Sequence, residues 1–493
     1  VPNCAGSLSQ ESIHSALKKP YEDTVPRDSM STQTDLAVVG AGPGGYTAAI
    51  RGSQKGLAVT LIERETVGGV CLNHGCIPAK ALIHAAGFQR DITHWNDLGI
   101  ETGDIEVDFQ AIQAWRREVI NRLDQQVLDS LNDHGVDIVT GTARFEDSTT
   151  LYIEGVEQTL EFDSAIIATG SEPLEIPGLE FDQNRVISSR EVLRVESVPE
   201  ELVVVGGGYI GMEAVTKFTK FGTRVKIVEA LERVLSGFEQ EIVESIQETN
   251  EMYREDIYTS TFAQGLEYDE TGKPVLVAER DGEELRLSGD YIIVAAGREP
   301  NSAYETLQLD TTDVELTEQG FIATDDRMQT TDDNIFCVGD AAGPSYLAHI
   351  AYHEGKVAAA VAAGETAAVD TEYIPAVMYT DPEVAVVGLN ETEAREAHEQ
   401  LKVGTFPFSA SGRALTMDKP SGYVKVIADS DEQLLGVRVV GARASDMIAE
   451  ATLALELEAS LDDITRTLHA HPTFPEALLE AAEAAKGESI HSY

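Results

Sequence analysis

Two cysteines, Cys71 and Cys76, stand with four residues between them in the run Gly68-Gly69-Val70-Cys71-Leu72-Asn73-His74-Gly75-Cys76-Ile77-Pro78-Ala79-Lys80. In an intracellular chain such a pair more often binds metal or does chemistry than braces the fold. The spacing is wrong for a zinc knuckle, and no second pair exists to complete a tetrahedral site, so no metal is expected. A loop this short, once closed, removes little freedom from the unfolded chain. What remains is a redox-active disulfide beside a cofactor.

The elements that would position it begin just upstream. Asp35–Val39 reads as a short apolar strand, followed by Gly40-Ala41-Gly42-Pro43-Gly44-Gly45, a helix to Gly52, and a strand Ala58–Ile62 that ends on Glu63. Gly40 allows the tight turn, Gly42 lets the backbone approach a pyrophosphate, and Gly45 permits close packing of helix on strand. The phosphates belong on the helix N-terminus, where free N–H groups and the helix dipole favour negative charge. Glu63 can accept hydrogen bonds from a ribose. The same five-part arrangement recurs: strand Leu202–Val205, Gly206-Gly207-Gly208-Tyr209-Ile210-Gly211, a helix, and strand Arg224–Val228 ending on Glu229. One chain therefore carries two dinucleotide sites. Glu229 would repel a 2′-phosphate, and Arg233 is placed on the following helix, so the second site favours NAD over NADP.

The remaining pattern gives an α/β fold with four parts. Residues 1–32 lack helical or strand period and read as a disordered or non-native leader, with Met30 as a natural start. Residues 33–172 form the first dinucleotide-binding domain and 173–297 the second. A long helix over Val107–Asn132 and strands near Val136–Arg144 and Thr150–Ile153 lie between the two fingerprints. Ala165–Gly170 and Tyr291–Arg298 are similar buried strands that mark the exit from each unit. Residues 298–367 form a central domain containing the buried strand Ile335–Val338, which stops at Gly339-Asp340. An acid at a strand's carboxyl end is placed to meet a ligand. Cys337 in that strand reads as a small buried hydrophobe. From 368 to 493 the pattern changes to an α+β domain, with strands near Val384–Val387, Tyr423–Ile427 and Leu435–Val440 and helices near Glu391–Leu401 and Ser445–Ala459.

Composition narrows the partners. The 493 residues include 85 acidic and 36 basic side chains, for a formal charge of -49. Phosphate binding needs clustered Lys and Arg, so neither nucleic acid nor an anionic membrane is expected. No apolar run reaches membrane-spanning length. The acids are spread along the whole chain, which points to adaptation to high salt rather than to one cationic partner. Four cysteines in a chain this long indicate no disulfide framework, which fits a cytoplasmic address.

From about Leu36 onward the chain resembles the FAD-dependent pyridine nucleotide-disulfide oxidoreductases, and among them is most similar to the dihydrolipoamide dehydrogenases. The resemblance rests on ordered motifs: the first fingerprint, the cysteine pair, Ala168-Thr169-Gly170, the second fingerprint, Gly297-Arg298, Gly339-Asp340, and His469-Ala470-His471-Pro472-Thr473-Phe474-Pro475-Glu476. It implies two Rossmann-like domains, a central domain that completes the FAD site, and a C-terminal dimerisation domain. It implies FAD on Gly40, Gly42, Gly45 and Glu63, with Gly170 at the first exit turn and Asp340 on the ribityl chain. It implies NAD on Gly206, Gly208, Gly211 and Glu229, with Gly297 at the second exit. Lys80 would approach the flavin and pair with Glu213. A thiol titrates near ~8.5 and only the thiolate attacks, so exchange needs a base. The family places that base opposite the disulfide, from the partner subunit. His471 takes the role, Glu476 orients it, and His469 is structural. Cys71 would exchange with substrate and Cys76 would face the flavin. The implied reaction is oxidation of dihydrolipoamide, borne on the lipoyl domain of a 2-oxoacid dehydrogenase or glycine-cleavage complex, with reduction of NAD by a homodimer.

Two residues depart from the family pattern: Ala79 stands where a hydroxyl residue is common, and Tyr209 is a candidate shield of the nicotinamide pocket. Glutathione reductase is the nearest rival, but it would want arginines for a 2′-phosphate and an anionic peptide. Mercuric reductase would want a second cysteine pair at Ile490–Tyr493. A complex-binding subunit with incidental catalysis is the reading from another class, and an intact cysteine pair and base weigh against it.

Overall fold

The computed structural model describes residues 32–94, 98–101, 103–249 and 256–491. The leader and Met30, read from sequence as preceding the fold, lie outside the described residues, as does Cys4.

The first sheet is built on a continuous buried run. Leu36, Ala37 and Val38 are fully buried because the strand Gln33–Val39 is covered on both faces, the condition that parallel sheets impose. It pairs in parallel with Val59–Glu63 on one side and Gln158–Ile167 on the other, and Asp137–Thr140 adds beyond Val59–Glu63. Gln158–Ile167 changes character along its length. Its first half alternates buried and open residues where it meets the antiparallel strand Thr150–Glu154. Its last three residues are all buried where Ile335–Cys337 joins it in parallel, Ala165 opposite Ile335. The chain thus leaves this sheet, builds the second unit, and returns to add a strand. The helix Ala348–Ala362 then packs on the fingerprint helix Pro43–Gln54, whose buried face of Gly44, Gly45, Ala48, Ala49 and Gly52 permits close approach.

The second sheet is wholly parallel, in the order Ile257–Tyr258, Arg224–Val228, Glu201–Val205, Tyr291–Val294, Val186–Ser188. The exits of the two units meet. Ser171–Pro173 pairs antiparallel with Arg298–Pro300, so Gly170 and Gly297 open the two strands of one short ribbon. After residue 375 a five-stranded antiparallel sheet follows, Ala376–Met378, Val384–Gly388, Leu434–Gly441, Gly422–Asp429 and Leu401–Pro407 in spatial order. The helices Ala444–Glu456 and Glu476–Lys486 pack on it around buried Phe406, Phe408 and Phe474.

Two local readings change. The helix placed at Glu391–Leu401 stops at Ala397, because His398 turns extended and Leu401–Pro407 becomes a strand. Arg233 does not lie on a helix. Leu235 takes a left-handed φ of 51°, which no α-helix contains, and the next helix begins only at Gln240. Arg233 instead donates to the Ser236 carbonyl at 3.0 Å. Among the described residues no helix is long and apolar enough to cross a membrane.

Candidate active site

The first fingerprint is built by contact. A Cβ on Gly45 would sit 1.8 Å from the Gly40 carbonyl oxygen, so only glycine lets the helix approach the strand here. A Cβ on Gly42 would meet nothing within 4 Å, and Gly42 leaves the helix N-terminus without a side-chain cap. Those uncapped N–H groups and that open space suit a pyrophosphate. Glu63 closes the loop by accepting from Ala41 N at 2.7 Å and Glu65 N at 2.8 Å. The second fingerprint repeats the plan. A Gly211 Cβ would stand 2.1 Å from Gly206 O, Gly208 faces open space, and Glu229 accepts from Gly207 N at 2.6 Å and Leu231 N at 2.8 Å. Both loops fit the adenosine diphosphate half of a dinucleotide.

A cavity of about 1220 Å³ runs from the first fingerprint to the second helix. It brings together Gly40, Gly42, Glu63, Cys71, Cys76, Lys80, Gly170, Glu213 and Asp340. Gly45 is packed beneath it. Gly206, Gly208, Gly211 and Glu229 lie at the carboxyl edge of the second sheet, outside its wall, and Gly297 precedes the lining residue Arg298. His471 and Glu476 are not part of the cavity lining in this chain.

The cysteines sit on two helices, Gly69–His74 and Cys76–His94, broken at Gly75. Asn73 pins the first by donating to Val67 O at 2.8 Å and Gly69 O at 3.2 Å. Both cysteines are thiols here, and they hydrogen-bond to each other. That bond favours unequal sulfurs. Donation to Cys76, followed by burial, pushes the Cys71 thiol well above its ordinary range. Acceptance from Cys71, with Lys80 nearby, brings Cys76 down to about 7. Lys80 Nζ donates to both oxygens of Glu213 at 2.9 Å, and Tyr379 N adds a third bond to that carboxylate at 3.1 Å. Burial alone would lower the Lys80 pKa, but Glu213 outweighs it and holds the ammonium charged.

Opposite these groups, Asp340 accepts from Ser171 Oγ at 2.5 Å, and Ser171 in turn is held by Arg298 through Nε at 2.7 Å and Nη2 at 2.6 Å. Tyr209 opens the helix of the second fingerprint and lines the cavity, with 40 % of its surface exposed. His471 is 79 % exposed by side chain, with Nδ1 at 2.8 Å from Glu476 Oε1. A carboxylate can only accept, so Nδ1 carries the proton and Nε2 is left as the basic nitrogen. Thr473 N holds the other Glu476 oxygen at 2.6 Å. His469 is buried by side chain, between Thr467 O and Glu450.

The sequence model of the pyridine nucleotide-disulphide oxidoreductases matches residues 34–364, and that of their dimerisation domain matches residues 374–482. The chain belongs to this family. A dihydrolipoyl dehydrogenase of Haloarcula marismortui is 45 % identical over 94 % of this chain and 99 % of its own length. One from Bacillus subtilis is 42 % identical over 93 % and 98 %. Among solved structures, LpdA of Mycobacterium tuberculosis superposes with a TM-score of 0.85 over 92 % of this chain and 99 % of its own, at 23 % identity. The HOCl-induced flavoprotein disulfide reductase RclA of Escherichia coli gives 0.81 at 25 % identity, over 91 % and 99 %. The pyridine nucleotide-disulphide oxidoreductase fold is thus common to all three chains.

Sequence reasoning passed over several residues of this oxidoreductase site. Tyr46 OH donates to Tyr352 OH at 2.8 Å beside Cys71, across 306 residues of chain. Ser171 and Tyr379 likewise reach the site only through tertiary packing. A single tyrosine or serine has no spacing to betray it.

Proposed function

We propose that this chain is a flavin disulfide oxidoreductase that oxidises protein-bound dihydrolipoamide to lipoamide and reduces NAD, working as a homodimer. The observation that carries the reading is the cysteine pair set at the wall of the large cavity together with the Lys80–Glu213 ion pair. FAD would lie along Gly40, Gly42, Glu63, Gly170 and Asp340, and when bound it relays two electrons between Cys76 and the nicotinamide.

The residues divide the remaining work. In the oxidised enzyme Cys71 and Cys76 are joined. His471 Nε2 takes the proton of one substrate thiol, and Glu476 stabilises the imidazolium that results. The substrate thiolate attacks Cys71 Sγ, the Cys71–Cys76 bond breaks, and Cys76 leaves as a thiolate. Lys80 stabilises that anion, which is why a low Cys76 pKa matters. His471 passes its first proton to solvent and takes that of the second substrate thiol, whose thiolate attacks the substrate sulfur bound to Cys71, closing the lipoamide disulfide and releasing Cys71 as a thiolate that His471 reprotonates. His471 is exposed and does not line its own chain's cavity, so in this reading it serves the disulfide of the second copy. Glu229 selects NAD by repelling a 2′-phosphate. Lipoyl domains of a 2-oxoacid dehydrogenase or glycine-cleavage complex supply the substrate. The even spread of acids and the haloarchaeal relatives support a cytoplasmic enzyme of a high-salt organism.

The test compares NADH-dependent reduction of lipoamide, oxidised glutathione and Hg(II) by the FAD-loaded dimer. Lipoamide should be strongly preferred, and Cys71→Ser should abolish its turnover while FAD stays bound. Preference for glutathione, or substantial turnover by Cys71→Ser, would overturn the proposal.

A further inference from the structure

The five-stranded antiparallel sheet buries two cations side by side, and both reach out of it toward the second fingerprint. Lys425 and Arg438 stand directly opposite each other on the paired strands Gly422–Asp429 and Leu434–Gly441, at 8 % and 3 % exposure. Like charges opposed across a sheet destabilise it, and a buried charge must be paired to be tolerated. Some acceptors are local. Lys425 Nζ meets Glu391 at 3.2 Å, and Arg438 donates through Nη1 to Val387 O at 2.8 Å and through Nη2 to Gly388 O at 3.2 Å. The shorter bonds leave the sheet. Lys425 Nζ donates to both oxygens of Glu241, at 2.5 Å and 2.6 Å, and Arg438 Nε donates to Glu239. Among the described residues Glu239 is the one carboxylate paired with Arg438.

Glu239 and Glu241 end the segment that begins at Glu229. The Glu229 carboxylate accepts from Gly207 N and Leu231 N, and the chain then folds back over the second fingerprint. Leu235 N donates to Gly207 O at 2.8 Å, and a Cβ on Gly207 would stand 2.5 Å from Val234 Cγ1. The same stretch rests on the antiparallel sheet, where Val234, Leu235 and Phe238 share one apolar cluster with Val384, Val440 and Tyr423. The helix Gln240–Thr249 starts between the two glutamates. The segment is thus fixed at one end by the strand that leads into Glu229 and at the other by Arg438 and Lys425, with the fingerprint beneath it. Neither cation lines the large cavity.

We propose that Lys425 and Arg438 are positioning residues for the dinucleotide of the second fingerprint: through Glu239 and Glu241 they hold the segment after Glu229 in the shape that receives the adenosine ribose. This rests on the assignment of NAD to that fingerprint. The pairs are buried, so molar salt screens them far less than it screens exposed charges. The nucleotide site of a strongly acidic chain is thereby anchored by contacts that concentrated salt leaves in place.

Isothermal titration of the FAD-loaded enzyme with ADP-ribose in molar KCl tests this. ADP-ribose carries the adenosine diphosphate half of NAD and cannot reduce flavin, and prior loading with FAD fills the first fingerprint. Lys425→Met/Arg438→Met should weaken ADP-ribose about tenfold. Adding Glu239→Gln and Glu241→Gln removes the carboxylates left unpaired, so this quadruple variant should fold whether or not the double one does, and it should show the same loss. Thermal unfolding identifies the folded variants. In them the KM for NADH should rise with the dissociation constant, while flavin content and kcat at saturating NADH match wild type. Folded variants that bind ADP-ribose as tightly as wild type would overturn the proposal. So would a parallel fall in flavin content and kcat, because a loosened fold does that without any role for the segment. Failure of the wild type itself to bind ADP-ribose would instead withdraw the nucleotide assignment, and this proposal with it.

Discussion

Lys80 and Glu213 lie 133 residues apart in sequence and meet through two hydrogen bonds of 2.9 Å, joining the disulfide-bearing helix to the helix of the second fingerprint. Glu213 is almost fully buried, and its side chain is 7 % exposed against 32 % for Lys80. The two halves of the pair are therefore unequal in what their removal would cost.

Lys80→Met leaves a buried carboxylate with only the Tyr379 N–H, which should destabilise the fold by about 3 kcal/mol. Lys80→Met/Glu213→Gln should recover most of that loss, measured by denaturant unfolding of single and double variants. The same substitution also removes a cation from Cys76. In the reduced enzyme, Cys76 thiolate should appear with a pH midpoint below the ordinary thiol range, because the Cys71 thiol and Lys80 favour the anion. Loss of Lys80 should move that midpoint upward, as read by the thiolate's ultraviolet absorbance. An unmoved midpoint would show that Lys80 does not act on the sulfur.

His471 and Glu476 carry different parts of one task. His471→Gln removes the base and should lower lipoamide turnover by about 10²- to 10⁴-fold. Glu476→Gln keeps an acceptor for Nδ1 but loses the charge, so its loss should be smaller. Neither change should release FAD. Steady-state kinetics beside flavin absorbance separate these outcomes, and equal losses in the two variants would contradict the division of roles.

Gly42 and Gly208 face open space while Gly45 and Gly211 face backbone, so alanine should act differently at each. Gly42→Ala should fold and lose FAD. Gly208→Ala should fold, keep FAD and raise the KM for NADH. Gly45→Ala should fail to fold, because its Cβ would stand 1.8 Å from a carbonyl oxygen. Expression, flavin content and NADH kinetics report the three outcomes.

The formal charge of -49 predicts a strong salt response. Self-repulsion is screened to about 3 Å at molar ionic strength, so thermal stability should rise from dilute buffer to molar KCl. A melting temperature that stays level across that range would show that the acidic surface is not self-destabilising.

The fingerprints were legible because sterics dictate them. A helix that touches a strand needs glycine at Gly45 and Gly211, and a ligand needs the free space at Gly42 and Gly208. The Lys80–Glu213 pairing was legible only through family resemblance, since one lysine and one glutamate carry no spacing. His471 and Glu476 were visible as neighbours, but nothing in their spacing says which disulfide they face. The misplaced helix end at Leu401 has a local cause. Helix-forming Glu391–Ala397 leads into His398, Glu399 and Gln400, which continue a polar helical pattern while the backbone has already turned extended. Arg233 was misplaced for the same reason, because left-handed Leu235 leaves no mark in composition.

The strand Ile335–Cys337 closes the first sheet more than 160 residues after the strand it pairs with, whereas the second sheet is complete by Val294. Synthesis therefore meets the two units in reverse order of completion. The nicotinamide unit can close while the flavin unit still lacks the strand that pairs with Ala165–Ile167 and its helix Ala348–Ala362, and loop closure over that distance is entropically slow. Nascent chains should gain protease protection over residues 186–294 before residues 33–167, so the enzyme's first-encoded nucleotide site is the later one to mature.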